Sequence, residues 1–331
     1  MKLQRREILL GALAGSLGAT VKSTAASPMD ADYPPGAPGQ PSEIINLWPG
    51  EAPGMPAQPP VERVTERSTN PQIQDRALTG IIQPRMAVFR PAVPNGAALM
   101  ITPGGGYQRV VIDKEGYELG NWLSQRGFTV FVLFHRLPGD GWAAGPDVPL
   151  SDAQRAMRLI RHHAGDFGLD SERVAAMGFS AGGHVCASLA TRFAADTYSA
   201  VDEADTLSAR PFLAAPIYPV IAMTPPLAHA GSRALLIGEN AGPELEHAYS
   251  PDLNVPPDAP PCFLLHAEDD GAVDVHNTLA FRAALKAQDI PVETHLFAHG
   301  GHGFGLRQAI GTPAEAWPDL FIRWSQSMGF Y

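Results

Sequence analysis

Four short segments of this chain carry residue types that could do chemistry together. Gly178-Phe179-Ser180-Ala181-Gly182 sets a serine between two glycines. In a tight strand-to-helix turn, G-x-S-x-G leaves no room for side chains two residues before and after the serine, whose hydroxyl is pushed outward. Pro103-Gly104-Gly105-Gly106-Tyr107 is a glycine run whose backbone can approach a reacting group closely. Its N–H groups, from Gly105, Gly106 or Tyr107, together with that of Ala181, could hold a developing oxyanion. The run lacks the Lys-Ser/Thr of a phosphate-binding loop and the spacing of G-x-G-x-x-G. A serine hydroxyl is a poor nucleophile until an imidazole takes its proton and a carboxylate orients that imidazole. Glu268-Asp269-Asp270 and His299-Gly300-Gly301-His302 offer both groups downstream of the serine.

These segments need a frame, and the hydrophobic pattern supplies one. Apolar runs at Met86–Phe89, Ala97–Thr102, Phe128–Phe134, Val174–Met177, Phe212–Ile217, Cys262–His266 and Val292–Phe297 read as buried strands. Helical stretches are expected at Glu115–Arg126, Ser151–Ala164, Ala181–Phe193, His276–Gln288 and Ala314–Met328. Near-continuous apolar strands alternating with helices imply one α/β domain, a mostly parallel central sheet covered on both faces. Each candidate segment follows a strand, at the sheet end where ligands of such folds sit. Residues 194–211 have weak periodicity and read as a surface insertion.

Composition narrows the function classes. The 331 residues are 45% hydrophobic and 18% charged, enough apolar material for a large core. A net charge of −10 with 24 Lys and Arg argues against nucleic acid, whose binding needs clustered basic residues. Two cysteines, Cys186 and Cys262, cannot make a disulfide framework and read as buried small hydrophobes.

The chain opens on what reads as an address. Arg5-Arg6 precede an apolar run from Ile8 to Ala19, and Ser23-Thr24-Ala25 offers small residues for cleavage. The run is too short to span a bilayer, so residues 1–26 resemble a twin-arginine export signal and no stable membrane insertion is expected after its removal. An exported, periplasmic or secreted protein is the corresponding expectation. Loss of residues 1–25 would leave 20 basic and 33 acidic residues, a net charge of −13. Residues 27–60 form a proline-rich lead-in, with ten prolines between Pro28 and Pro60 that disfavour helix and central strand. The catalytic domain is expected over residues 61–331.

The motifs together resemble the α/β-hydrolase superfamily and, within it, the bacterial carbohydrate acetylesterases often labelled acetyl-xylan esterase. The resemblance rests on Leu47–Gly54, Pro103–Tyr107, Lys114-Glu115-Gly116, Gly178–His184, Asp269–Val273 and His302-Gly303-Phe304-Gly305, over roughly residues 44–329. The order Ser, Asp, His along the chain is that of the superfamily. Relatives place the acid before x-x-Val and the histidine before Gly-Phe, which implies Asp270 and His302 as partners of Ser180. The implied reaction is acyl transfer from an acetylated carbohydrate or other small ester, with no cofactor and no metal. Tyr107 and Phe304 are expected to line the pocket. Asp274 stands where relatives often have Pro, and Phe134-His135-Arg136 where Tyr-Arg is common.

Rival readings are weaker. His299 and His302 have H-x-x-H spacing, but no carboxylate is set with them at helical spacing for zinc. His184 is expected to pack beneath the site, and Glu268 and Asp269 either solvate a turn or raise the pKa of Asp270 by like charge. Trp48 and Trp142 could stack on a sugar, although loop aromatics more often pack locally. A general short-chain carboxylesterase would share every catalytic residue. A serine peptidase is disfavoured because no propeller precedes the core, and a binding protein because all three relay residues are present.

Overall fold

The computed structural model describes residues 39–331; the expected export signal and the first part of the proline-rich segment lie outside the described residues. Eleven strands run β1 (Glu43–Asn46), β2 (Arg63–Glu66), β3 (Arg76–Thr79), β4 (Arg85–Phe89), β5 (Ala98–Thr102), β6 (Val110–Val111), β7 (Thr129–Phe134), β8 (Val174–Phe179), β9 (Ala214–Ile217), β10 (Cys262–Ala267) and β11 (Val292–Phe297). Seven α-helices are interleaved: α1 (Glu118–Ser124), α2 (Val148–His162), α3 (Ala181–Arg192), α4 (Ala230–Ile237), α5 (Pro243–Ala248), α6 (His276–Ala287) and α7 (Trp317–Ser327).

Eight strands form one sheet in the order β1-β4-β7-β5-β8-β9-β10-β11. From β7 to β11 every pairing is parallel, and β1 and β4 join antiparallel at one edge. Alternate residues of each strand feed two cores. Ala98 and Met100 of β5 point into a core shared with Met157 of α2 and Phe281 of α6; Leu99 and Ile101 enter one shared with Leu119 of α1 and Phe321 of α7. Burial on both faces is why these strands read as continuous apolar runs.

The structure departs from the sequence expectations at several places. Part of the proline-rich segment is edge strand: Glu43–Asn46 pairs with β4, and edge positions tolerate nearby prolines. The first expected helix opens as a π turn over Asp113–Tyr117 before α1, and the last opens as a 3₁₀ turn. A small antiparallel sheet, β2-β3-β6, has no counterpart in the expected strands. Neither do α4 and α5. Residues 194–211 are docked on the body, since Asp202 and Asp205 pair with the buried Arg155 of α2.

Candidate active site

The turn after β8 shows why the serine is framed by glycines. Ser180 has φ 54° and ψ −120°, a conformation strained for an L residue, and it opens α3. A Cβ on Gly178 would lie 2.2 Å from the Gly182 carbonyl oxygen and 2.4 Å from Thr102 Oγ1. One on Gly182 would lie 2.1 Å from the Thr102 carbonyl oxygen. With no room for either, the chain can turn sharply enough to project the Ser180 hydroxyl.

The downstream strands bring its partners. Ser180 Oγ lies 2.8 Å from His302 Nε2, and His302 Nδ1 lies 2.6 Å from Asp270 Oδ2. A carboxylate can only accept here, so Nδ1 carries the proton and Nε2 is free to accept from Ser180. Asp270 is held by further donors. Its Oδ1 accepts the N–H groups of Ala272 and Val273, each at 2.9 Å, and its Oδ2 also accepts from His266 Nε2 at 3.1 Å. His266 Nε2 must be protonated, because it also donates to the Val273 carbonyl, while Nδ1 faces Thr278 Oγ1 at 2.8 Å. Burial opposes ionisation of Asp270, yet the bonds from His266 and His302 outweigh it and hold the carboxyl well below its ordinary value. The upward shift considered for Asp270 is therefore absent. Asp269 points away: it accepts from the N–H groups of Gly300 and Gly301 at 2.9 and 2.8 Å, and His299 is exposed beside it.

The glycine run after β5 faces the same place. Gly105 and Gly106, at φ 136° and 65°, line a cleft of about 460 Å³ with Ser180 and His302. No hydrogen bond among the described residues uses the N–H of Gly105, Gly106 or Ala181. Gly104 is tied underneath, donating its N–H to Glu115 Oε2 at 2.9 Å, and a Cβ there would lie 2.8 Å from that of Ser180. The other oxygen of the buried Glu115 accepts from Tyr218 Oη at 3.1 Å, and Tyr218 in turn accepts the Gly305 N–H at 3.2 Å. A Glu115–Tyr218 strut thus links the glycine loop to the loop carrying His302. The sequence reading gave no role to His266, Glu115 or Tyr218. Their position just after, or at the end of, a strand was the available signal for His266 and Tyr218.

The expectation for Tyr107 and Phe304 is corrected. Both are buried, and neither lines the cleft. Tyr107 Oη bonds His184 Nδ1 at 2.7 Å beneath the site, and Phe304 packs edge-on against Tyr218. No Phe, Tyr or Trp is among the lining residues. Trp48 is spent on Asp152, and Trp142 is packed against Arg136. Burial lowers the His184 pKa to about 4 and keeps it neutral. Of the departures from the resembled pattern, Arg136 forms a buried ion pair with Asp152, His135 is buried against the Arg136 carbonyl, and Asp274 accepts the His276 N–H at the start of α6. Both cysteines are free and buried. Among the described residues no His, Cys, Asp and Glu cluster could hold a metal ion, and no helix is long and apolar enough to cross a membrane.

The profile of the BD-FAE family matches residues 96–285, more than half of the chain. This chain belongs to the BD-FAE family. The match runs from the strand before the glycine loop to α6 and contains Ser180 and Asp270 but not His302. Endo-1,4-beta-xylanase B of Butyrivibrio fibrisolvens is 35% identical over 205 residues, 62% of this chain and 32% of that protein. The acetylxylan esterase of Xylanibacter ruminicola is 30% identical over 227 residues, 67% of this chain and 44% of that protein. The BD-FAE chain thus spans less than half the length of these curated relatives. The solved acetyl ester-xyloside bifunctional hydrolase from Caldicellulosiruptor lactoaceticus is 31% identical, with a TM-score of 0.71 over 88% of this chain and 98% of that one. The fold is that of an α/β hydrolase.

Proposed function

We propose that this BD-FAE member is a serine esterase that removes acetyl or other short acyl groups, from xylan or related plant polysaccharides and their oligosaccharides. The observation that carries the proposal is the Ser180–His302–Asp270 relay, at 2.8 and 2.6 Å, opening onto the cleft lined by Gly105 and Gly106. In this reading His302 Nε2 takes the Ser180 proton as Oγ attacks the ester carbonyl carbon. The N–H groups of Gly105, Gly106 and Ala181 receive the oxyanion, and Asp270 stabilises the imidazolium that forms. His302 then gives its proton to the departing alcohol oxygen, leaving an acyl-Ser180 ester. Water attacks that ester by the same route, regenerating the serine hydroxyl and releasing the carboxylic acid.

The carbohydrate part of the proposal is supported by the acetylxylan esterase and acetyl ester-xyloside hydrolase relatives. With no aromatic lining the cleft, a sugar would be held by polar groups, not by ring stacking. Export through a twin-arginine signal is part of the same proposal, supported by Arg5-Arg6 and the apolar run after them. The test is acetate release from acetylated xylo-oligosaccharides beside 4-nitrophenyl acetate, for wild type and Ser180→Ala. Efficient deacetylation of the sugar by wild type alone supports both parts. Cleavage of the aryl ester alone supports a short-chain carboxylesterase and overturns the carbohydrate assignment.

A further inference from the structure

The cleft beside Ser180 is lined by cations although the whole chain carries a net charge of −10. Arg67, Arg109 and Lys114 all contribute to its wall. Glu115 is the only carboxylate among the lining residues, and its oxygens are occupied by the Gly104 N–H and the Tyr218 hydroxyl. Lys114 is the most informative of these residues. It is 8% exposed, in the π turn at Asp113–Tyr117, and its ammonium reaches the loop that follows His302. A Cβ placed on Gly303 would lie 3.2 Å from Lys114 Nζ.

Among the described residues no carboxylate comes within ion-pair distance of Lys114 and no hydrogen bond satisfies it. Of the acids around it, Glu118 is itself paired with Arg307 at 2.6 Å, and Glu115 Oε1, which would lie 3.6 Å from the same Cβ position on Gly303, already accepts the Tyr218 hydroxyl. The stem is buried and the ammonium opens to the cleft, where a ligand can reach it. Arg109, on the exposed lip after the glycine loop, reaches only the Gln108 side chain, at 3.1 Å. Arg67 is partly committed, 3.6 Å from Asp75. Gln108, Ser180, His229 and His302 complete the polar wall and bring no negative charge.

We propose that Lys114 and Arg109 form a subsite for an anionic group of the substrate, a carboxylate carried by the same molecule as the ester. The proposal rests on the esterase reading above and narrows it to esters of acidic carbohydrates, uronic-acid-bearing oligosaccharides being the fitting class. A carboxylate in the cleft would supply the charge-assisted partner that Lys114 lacks, and Arg109 at the lip would draw the anion in.

The test compares two acetylated xylo-oligosaccharides that bear a glucuronic acid branch and differ only in whether its carboxyl is free or reduced to the alcohol. Measurements use wild type, Lys114→Met and Arg109→Gln, with 4-nitrophenyl acetate as a neutral reference. For wild type, kcat/KM should favour the free acid by on the order of tenfold at low salt, since a charge-assisted hydrogen bond is at stake. Added salt should shrink that preference. Each variant should bring the acid-to-alcohol ratio toward one, and Arg109→Gln, at an exposed position, reads the ratio even if Lys114→Met fails to fold. Equal rates on the two sugars by wild type would overturn the subsite while leaving the esterase reading intact. No turnover by wild type of the aryl acetate or of either sugar would overturn the esterase reading itself. A ratio unchanged in Arg109→Gln and in a folded Lys114→Met would show that the preference arises elsewhere and overturn the assignment.

Discussion

Asp270→Asn tests whether the carboxylate, and not merely a polar group, is what His302 requires. Every hydrogen-bond partner of the Asp270 carboxylate is a donor: His302 and His266 to Oδ2, the Ala272 and Val273 N–H groups to Oδ1. An asparagine offers one acceptor oxygen and one NH₂. If its oxygen keeps the two backbone donors, its NH₂ faces His302 Nδ1 and forces the proton to Nε2, where it cannot accept from Ser180. The substitution also removes the charge that stabilises the imidazolium. A charge pair about 4 Å apart at an effective dielectric of about 20 is worth about 4 kcal/mol, and a hydrogen bond to a charged group about 1.5–3 kcal/mol. These overlap, so a loss of about 4–6 kcal/mol follows, or about 10³- to 10⁴-fold in turnover. The assay is kcat/KM on 4-nitrophenyl acetate with circular dichroism as a folding control. Asp269→Asn is the internal comparison, because Asp269 bonds only Gly300, Gly301 and His299 and does not reach His302. A loss for Asp270→Asn within about tenfold, or an equal loss for Asp269→Asn, would refute the assignment.

Other perturbations have separate expected outcomes. Gly182→Ala should cost stability by about 1–3 kcal/mol and abolish activity, since its Cβ meets the Thr102 carbonyl at 2.1 Å; a normal melting curve with normal turnover contradicts it. Glu115→Gln sets an NH₂ against a donor on one side of the strut and should lower kcat by about tenfold to a hundredfold through the glycine loop, with Tyr218→Phe milder. His184 is neutral when buried, its pKa lowered to about 4 from an ordinary 6.5, so the unfolded chain binds its proton first as pH falls. Its contribution is present above pH 6.5 and lost on acidification toward 4, about 2 kcal/mol between pH 7 and 5. Denaturant melts of His184→Gln should show a correspondingly shallower acid loss than wild type, and an identical slope would contradict this.

What was legible in the sequence was what local sterics and strand order encode. G-x-S-x-G announces itself because only glycine fits at 178 and 182, and Asp270 and His302 lie just beyond strands that run parallel to β8. The parts that were not legible depend on which way a side chain turns after the chain has folded. Tyr107 sits in a glycine loop at the cleft, yet its φ of 60° sends the ring inward to His184. Glu115 and Tyr218 lie 103 residues apart, and their bond exists only because the π turn after β6 meets the loop after β9. His266 ends an apolar strand and reads as core until its ring is seen to donate to Asp270. The small β2-β3-β6 sheet was missed because its strands have only two to four residues, too short for a period to show.

In the proposed reaction Ser180 carries the acyl group between the two halves. Rapid acid quench of the wild-type enzyme during turnover of 4-nitrophenyl acetate, followed by peptide mass spectrometry, would trap that acyl group. A transient acetyl group is expected on the peptide containing Ser180, absent from Ser180→Ala. Full turnover with no acetyl on that peptide, or with acetyl on another residue such as Ser232, would contradict it.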